Sequence, residues 1–351
     1  MLPPTLRPRL SFLDRYLPVW ILGAIGAGLA LGRIWPELGA ALDRVQVGGV
    51  SVPIAIGLFW MMYPVLAKVR YETVGRHARD TRLLGTSLVL NWIVGPVVMF
   101  VLAWLFLPDL PEYRNGLILI GLARCIAMVL VWNTLAGGSN ELAAVLVALN
   151  SAFQIFTYSF LGWFFLTVVP DWLGLAGASL DVSMWDIARS VLLFLGLPLL
   201  AGYATRRVLV ARRGASWYDG VFMPKFGPTA LLGLLYTIVL MFAMQGDRIL
   251  GLPLDVLRIA LPLVVYFLVM FGVALALSRR LGFDYPASAS LAFTAAGNNF
   301  ELAIAVAVAT FGLASGEALA AVVGPLIEVP ALLALVYVAL WARRFFPAER
   351  R

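Results

Sequence analysis

Cysteine and histidine are nearly absent from this 351-residue chain, which carries one of each, Cys125 and His77. A single thiol excludes an internal disulfide, a CxxC pair and a thiolate zinc site, and a single histidine excludes a metal centre built on imidazoles. His77 lies in a basic stretch and reads as a solvated loop residue. Charge is scarce too: 13% of residues are Asp, Glu, Lys or Arg, against about 25% in soluble domains. What abounds is apolar. Hydrophobic residues make up 62% of the chain, in runs of about 20, which at about 1.5 Å rise per residue match a hydrocarbon layer about 30 Å thick. No aqueous fold could hide so much apolar surface, so the composition predicts an all-α polytopic membrane protein whose surroundings are the lipid bilayer.

The net charge of +7 and pI near 9.8 would suggest nucleic acid in a soluble protein. Here the basic residues sit between the apolar runs, so they read as orientation signals and no nucleic-acid partner is expected. Ten spans are predicted, at roughly 17–35, 50–67, 84–108, 115–136, 142–169, 186–205, 228–246, 256–278, 288–312 and 317–341. The opening MLPPTLRPRLSFLDRYL lacks a small-residue cleavage pattern, so no removed signal peptide is expected. Of the 26 Lys and Arg residues, 19 fall in alternate segments on one side, 6 on the other, and Arg124 lies inside a span. The positive-inside rule then puts both termini in the cytoplasm, as 1–16 and 342–351.

Self-comparison shows a weak duplication. AGLALGR at 27–33 falls on AGYATRR at 201–207, VMF at 98–100 recurs at 269–271, and ELAAVL at 141–146 faces EALAAVV at 317–323. The matches divide the chain into five-span halves, 17–169 and 186–341, joined by a connecting segment, 170–185. An odd number of spans per half inverts the second half in the membrane. Inverted repeats typify secondary transporters, whose sites lie near the midplane on interrupted helices.

Three charged residues fall well inside spans: Arg124, Glu301 and Glu328. Each costs about 2.5–3.5 kcal/mol or more at a helix centre on insertion scales, so each is expected to face protein or water. A shift of 176 sets Cys125 opposite Glu301. In TAAGNNFELAIA, Gly297, Asn298 and Asn299 are poor helix formers, and LARCIAMVLVWN sets Arg124 and Cys125 mid-span, so both neighbourhoods are expected to be broken helices lining a polar chamber. More ordinary readings stand beside these. A lone Cys in an apolar helix is usually a small buried hydrophobe, Glu301 has a bland reading as a structural carboxylate bonded to the Asn pair, and Glu328, between Pro325 and Pro330, reads as a structural partner of Arg124 or of loosened backbone, or as a proton carrier. Glu141 and Glu317, at span starts, read as cap and helix-dipole residues.

The segments GLFWMMYPVLAKVRYE, GLILIGLARCIAMVLVWN, AAVLVALNSAFQI, LPLDVLRIA, LAFTAAGNNFELAIAVA and GPLIEVPAL resemble the arsenical-resistance family of arsenite efflux permeases, within the bile acid/arsenite/riboflavin transporter superfamily. The similarity runs from about residue 15 to residue 342. It implies ten spans in two inverted repeats with fourth and ninth helices unwound and crossing. It further implies export of arsenite, coupling by proton antiport, and a required cysteine and glutamate that land on Cys125 and Glu301. Gly297 matches the family's glycine or serine ahead of the Asn pair. On this reading Cys125 is the arsenic ligand, Arg124, Asn298, Asn299 and Glu301 join it in substrate binding, Glu301 and Glu328 carry protons, and no cofactor is needed. Antimonite as a further cargo and assembly into a homo-oligomer stay open. The alternative is sodium-coupled uptake of an organic anion, with Asn298, Asn299 and Glu301 as oxygen ligands for Na⁺. A hydrolase using Cys125 would need a base that the chain lacks near it, and a passive channel would not carry arsenite uphill.

Overall fold

The computed structural model describes residues 16–43, 46–47, 50–68, 81–126, 128–175, 183–251, 253–312 and 315–346. His77 lies outside them, as do parts of the expected terminal and connecting segments. The elements in chain order are α1 (Leu17–Ile34), α2 (Leu38–Asp43), β1 (Gln46–Val47), β2 (Val50–Ser51) and α3 (Val52–Lys68). Then come α4 (Thr81–Phe106), α5 (Pro111–Leu122), α6 (Met128–Ala136), α7 (Asn140–Trp172), α8 (Met184–Arg213), α9 (215–226) and α10 (Thr229–Gly251). Last are α11 (Pro253–Arg280), α12 (Tyr285–Ala296), α13 (Phe300–Phe311) and α14 (Gly316–Ala342). The departure from an all-helical chain is the two-residue antiparallel pair β1–β2.

Six of these helical runs are long and apolar enough to cross a membrane: α4, α7, α8, Ala215–Met244, α11 and the run from Gly316 to Phe345. Shorter apolar helices stand at Val19–Ile34, Val52–Lys68 and Phe300–Phe311. Four runs contain a wide π turn, at Leu90–Val94, Phe164–Val168, Leu192–Gly196 and Tyr218–Phe222. Each ends two residues before a proline: Pro96, Pro170, Pro198 and Pro224. Proline has no N–H and its ring crowds the carbonyl four residues back, and a wider turn relieves that crowding while the chain stays helical.

The helices pack in two groups. In one, α10 lies against α1 and α3, and α3 lies against α8. In the other, α11 contacts α4, α12 and α14, and α14 contacts α5, α6 and α13. The start of α8 joins the groups through α7 and α13. Large apolar side chains such as Leu105, Phe156, Leu200, Leu257 and Tyr337 point outward, which suits a lipid-facing surface. Side chains cap α7, α12 and α14: Ser139 accepts from the Leu142 N–H, Asp284 from Ala287, and Ser315 from Ala318. Glu141 and Glu317 sit in first turns, where a carboxylate suits the helix dipole, but the caps themselves are the two serines.

Candidate functional site: two helix breaks that meet

The fourth and ninth expected spans are both interrupted. The chain leaves helix at 123–125, after α5, and at 297–299, after α12, and the two stretches pair as a short antiparallel bridge with Arg124 opposite Asn298. The Cys125 N–H donates to the Gly297 carbonyl (3.2 Å) and the Asn299 N–H donates to the Ala123 carbonyl (3.1 Å). These two bonds map onto each other under a shift of 174, which also relates the first and last residues of α5 and α12. Across the bridge Cys125 lies against Gly297, while under that shift it corresponds to Asn299. Glu301, two residues further on, lies in the first turn of α13, and the expectation that it matches Cys125 is corrected.

Local sequence accounts for one break and not for the other. Gly297, Asn298 and Asn299 favour non-helical backbone, whereas Ala123, Arg124 and Ile126 are tolerable helix residues. The first break is held by partners. Asn298 donates its side-chain amide to the carbonyls of Ile120 (2.9 Å) and Ala123 (3.2 Å), and the Tyr158 hydroxyl donates to the Leu119 carbonyl (3.0 Å). Tyr158 thus supplies a donor to the Leu119 carbonyl at the end of α5, and Asn298 adds a second donor to the Ile120 and Ala123 carbonyls beside the Ala123 and Asn299 N–H groups. On the other side, Asn299 caps α13, its side-chain oxygen accepting from the Leu302 N–H at 3.0 Å.

Cys125 does the corresponding job for α6. Its sulfur accepts from the Val129 N–H at 3.3 Å, so it lies at the partially positive N-terminal end of that helix. The residue is buried. A Cβ on Gly297 would lie 2.9 Å from the Cys125 Cβ, so glycine is required there for space, its backbone being extended.

Arg124 is fully buried. Its backbone N–H donates to the Gln154 side-chain oxygen (2.8 Å), and its Nη1 donates to the Tyr266 hydroxyl (2.8 Å) and the Ala295 carbonyl (3.5 Å). Gly95 makes room for it, since a Cβ there would lie 2.7 Å from Nη1. Neighbouring residues of an extended chain point to opposite sides. The guanidinium is therefore directed away from the Cys125 sulfur, which faces the helix end instead. No carboxylate pairs with Arg124 among the described residues. This corrects the reading of Glu328 as its partner.

Glu328 is buried in α14, close enough to sense both the Asn298 backbone N–H and the Glu301 carboxyl. Glu301 is partly buried. Several buried polar atoms on the paired breaks and on α7 and α14 have no protein hydrogen-bond partner: Arg124 Nε and Nη2, both amide atoms of Asn150, Gln154 Nε2, Asn298 Oδ1, Asn299 Nδ2 and Glu328 Oε1. Such a set suits a small ligand bearing several hydroxyls. Asn150, Gln154 and Tyr158, which border this region, were missed in the sequence. Their signal is a stripe of an asparagine, a glutamine and a tyrosine at i, i+4 and i+8 along one face of the span.

Comparison with known proteins places this site in a family. Residues 55–252 match the model of the Sodium Bile acid symporter family. The chain is 55% identical to the Arsenical-resistance protein Acr3 of Corynebacterium glutamicum, over 97% of this chain and 92% of the relative. It is 33% identical to the protein of that name from Alkaliphilus metalliredigens, over 97% and 96%. It is also 37% identical to the Uncharacterized transporter slr0944 of Synechocystis, over 97% and 91%. With a paired break carrying the chain's one cysteine, and identity to arsenical-resistance proteins along nearly its whole length, this chain belongs to the arsenical-resistance family, among the membrane transporters of the sodium bile acid symporter group.

Proposed function

We propose that this protein exports arsenite from the cytoplasm across the cell membrane in exchange for protons. The observation that carries the proposal is the position of Cys125, a sulfur held at a helix N-terminus where two broken helices meet. Trivalent arsenic is soft and thiophilic, and sulfur is the softest ligand available to a protein. Neutral arsenous acid exchanges one hydroxyl for the Cys125 sulfur, forming an S–As bond and releasing the hydroxyl with the thiol proton as water. Water reverses the step on release. One sulfur suits turnover, because a cage of three thiolates would hold arsenic too tightly to let it go.

The remaining groups take supporting parts. Asn299 Nδ2, which has no protein partner and lies on the Cys125 side of the paired stretch, faces the hydroxyls of the substrate, while Asn298, on the Arg124 side, holds the break in place. Arg124 supplies positive potential from the far side of the crossing. Glu301 exchanges protons, and Glu328, buried in α14, is the second carboxyl of the relay. In the architecture that goes with this reading, α1, α3, α4, α5 with α6, and α7 form one repeat, and α8, α10, α11, α12 with α13, and α14 form its inverted copy. Both termini are cytoplasmic, and the fourth and ninth spans cross at their breaks. The names of the arsenical-resistance relatives support the substrate.

The test is arsenite uptake into everted membrane vesicles. An acid lumen should drive accumulation and a protonophore should abolish it, with or without sodium. The family description raises a second reading, sodium-coupled uptake of an organic anion. Accumulation that followed a sodium gradient and ignored the pH gradient would favour that reading.

A further inference from the structure

The segment between α8 and α10 carries a feature that transport does not use. α8 ends in Arg206, Arg207, Arg212 and Arg213, and α9 follows at once with Trp217, Tyr218, Phe222, Lys225 and Phe226. α9 is docked and not loose. The Tyr218 hydroxyl donates to the Ala67 carbonyl at 2.9 Å, at the end of α3, and Phe226 meets Tyr63 edge to face with ring centres 5.2 Å apart. Phe222 stacks between Trp217 and Phe226, with ring centres 5.9 and 5.1 Å away. Asp219 is the acidic residue of α9, and Arg206 neutralises it at 3.1 Å.

The other cations remain uncompensated. Arg207, Arg212, Arg213, Lys225 and the adjoining Lys68 are exposed, and no ion pair reaches any of them among the described residues. Arg213 lies over the Trp217 ring at 4.9 Å, so cation and aromatic face share one surface. Apolar side chains exposed beside them, Leu200, Val208 and Val221, continue into the lipid-facing surface. Aromatic rings beside several Lys and Arg residues at the end of a membrane helix match the headgroup layer of an anionic leaflet.

We propose that Lys68, Arg207, Arg212, Arg213 and Lys225, with Trp217, form a binding surface for the phosphate headgroups of anionic phospholipids. A zwitterionic headgroup offers no net negative charge to this surface, whereas phosphatidylglycerol does. Each cation near a charged bilayer surface is worth about a fivefold change in lipid association. Five cations in a fixed arrangement select such lipids from the surrounding bilayer.

The test measures the association of spin-labelled phosphatidylglycerol relative to spin-labelled phosphatidylcholine with the purified full chain, in vesicles of equimolar phosphatidylcholine and phosphatidylglycerol. Wild type should prefer phosphatidylglycerol, and R212Q/R213Q/K225Q should lose most of that preference, about fivefold per charge. R212K/R213K keeps the charge and should keep the preference, which separates electrostatics from damage to the fold. Arg33→Gln, at the end of α1, should have no effect. An unchanged preference in the triple variant would overturn the proposal, as would an equal loss from Arg33→Gln. Loss of the wild-type preference on adding soluble glycerol phosphate at the concentration of the phosphatidylglycerol would refute the lipid as the occupant.

Discussion

Asn298 gives the crossing its most specific test, because its side chain holds the end of one broken helix from the other. Its amide nitrogen faces two carbonyls, Ile120 at 2.9 Å and Ala123 at 3.2 Å. Asn298→Ala deletes both bonds, but each acceptor keeps a partner, the Ala123 N–H for Ile120 and the Asn299 N–H for Ala123. The loss is therefore that of two ordinary hydrogen bonds, about 1–3 kcal/mol together, and not that of orphaned groups in a dry interior. Asn298→Asp preserves the shape and should be worse. An ionised carboxyl would set oxygen against two carbonyl oxygens, and a protonated one could donate to only one of them. Unfolding in mixed micelles titrated with SDS measures both variants against wild type. A loss below about 0.5 kcal/mol for Asn298→Ala, or an Asp variant more stable than the Ala variant, would refute the claim that this amide holds the break.

Three further outcomes follow from the same geometry. Asn299→Ala removes the cap of α13 and should cost about 0.5–2 kcal/mol, whereas Asn299→Ser should restore most of it in the same titration. Glu301→Gln keeps size and hydrogen bonding but cannot ionise, so vesicles with this variant should equilibrate arsenite without accumulating it against a gradient; uphill accumulation would make Glu301 structural. At the surface, the Arg258 guanidinium bonds Asp109 and holds its carboxyl below the usual carboxylate range. Whatever this pair contributes is present above the unfolded value of about 3.9 and lost only as pH falls through the lowered one, so Asp109→Asn and wild type should share one pH dependence of unfolding between about pH 5 and 8.

Much of this was legible in the sequence, for identifiable reasons. Membrane embedding follows from composition, and the break at 297–299 follows from a glycine and two asparagines inside an apolar run. The break at 123–126 has no comparable local signal, because it is made by Asn298, Asn299, Gln154 and Tyr158 arriving from elsewhere in the chain. The pairing of Cys125 with Glu301 failed for a related reason. The starts of α7 and α14 are related by a shift of 176, α5 and α12 by 174, and the starts of α6 and α13 by 172. Loops and breaks of unequal length move the register, so a shift taken from ELAAVL and EALAAVV cannot be carried across the crossing. The direction of Arg124 was equally hidden. It depends on the chain being extended there and on the space left by Gly95 beside Tyr266.

The central claim is that the Cys125 sulfur is the arsenic ligand, and replacing that sulfur by oxygen tests it most directly. Serine keeps the size and the ability to accept from the Val129 N–H, so Cys125→Ser should fold and insert as wild type does. Its hydroxyl is hard and barely acidic, and offers arsenic no soft ligand. The measurement is arsenite uptake into everted vesicles with an acid lumen, at equal amounts of wild-type and Cys125→Ser protein. The account predicts that the serine variant accumulates no arsenite above protein-free background, and near-normal accumulation would contradict it.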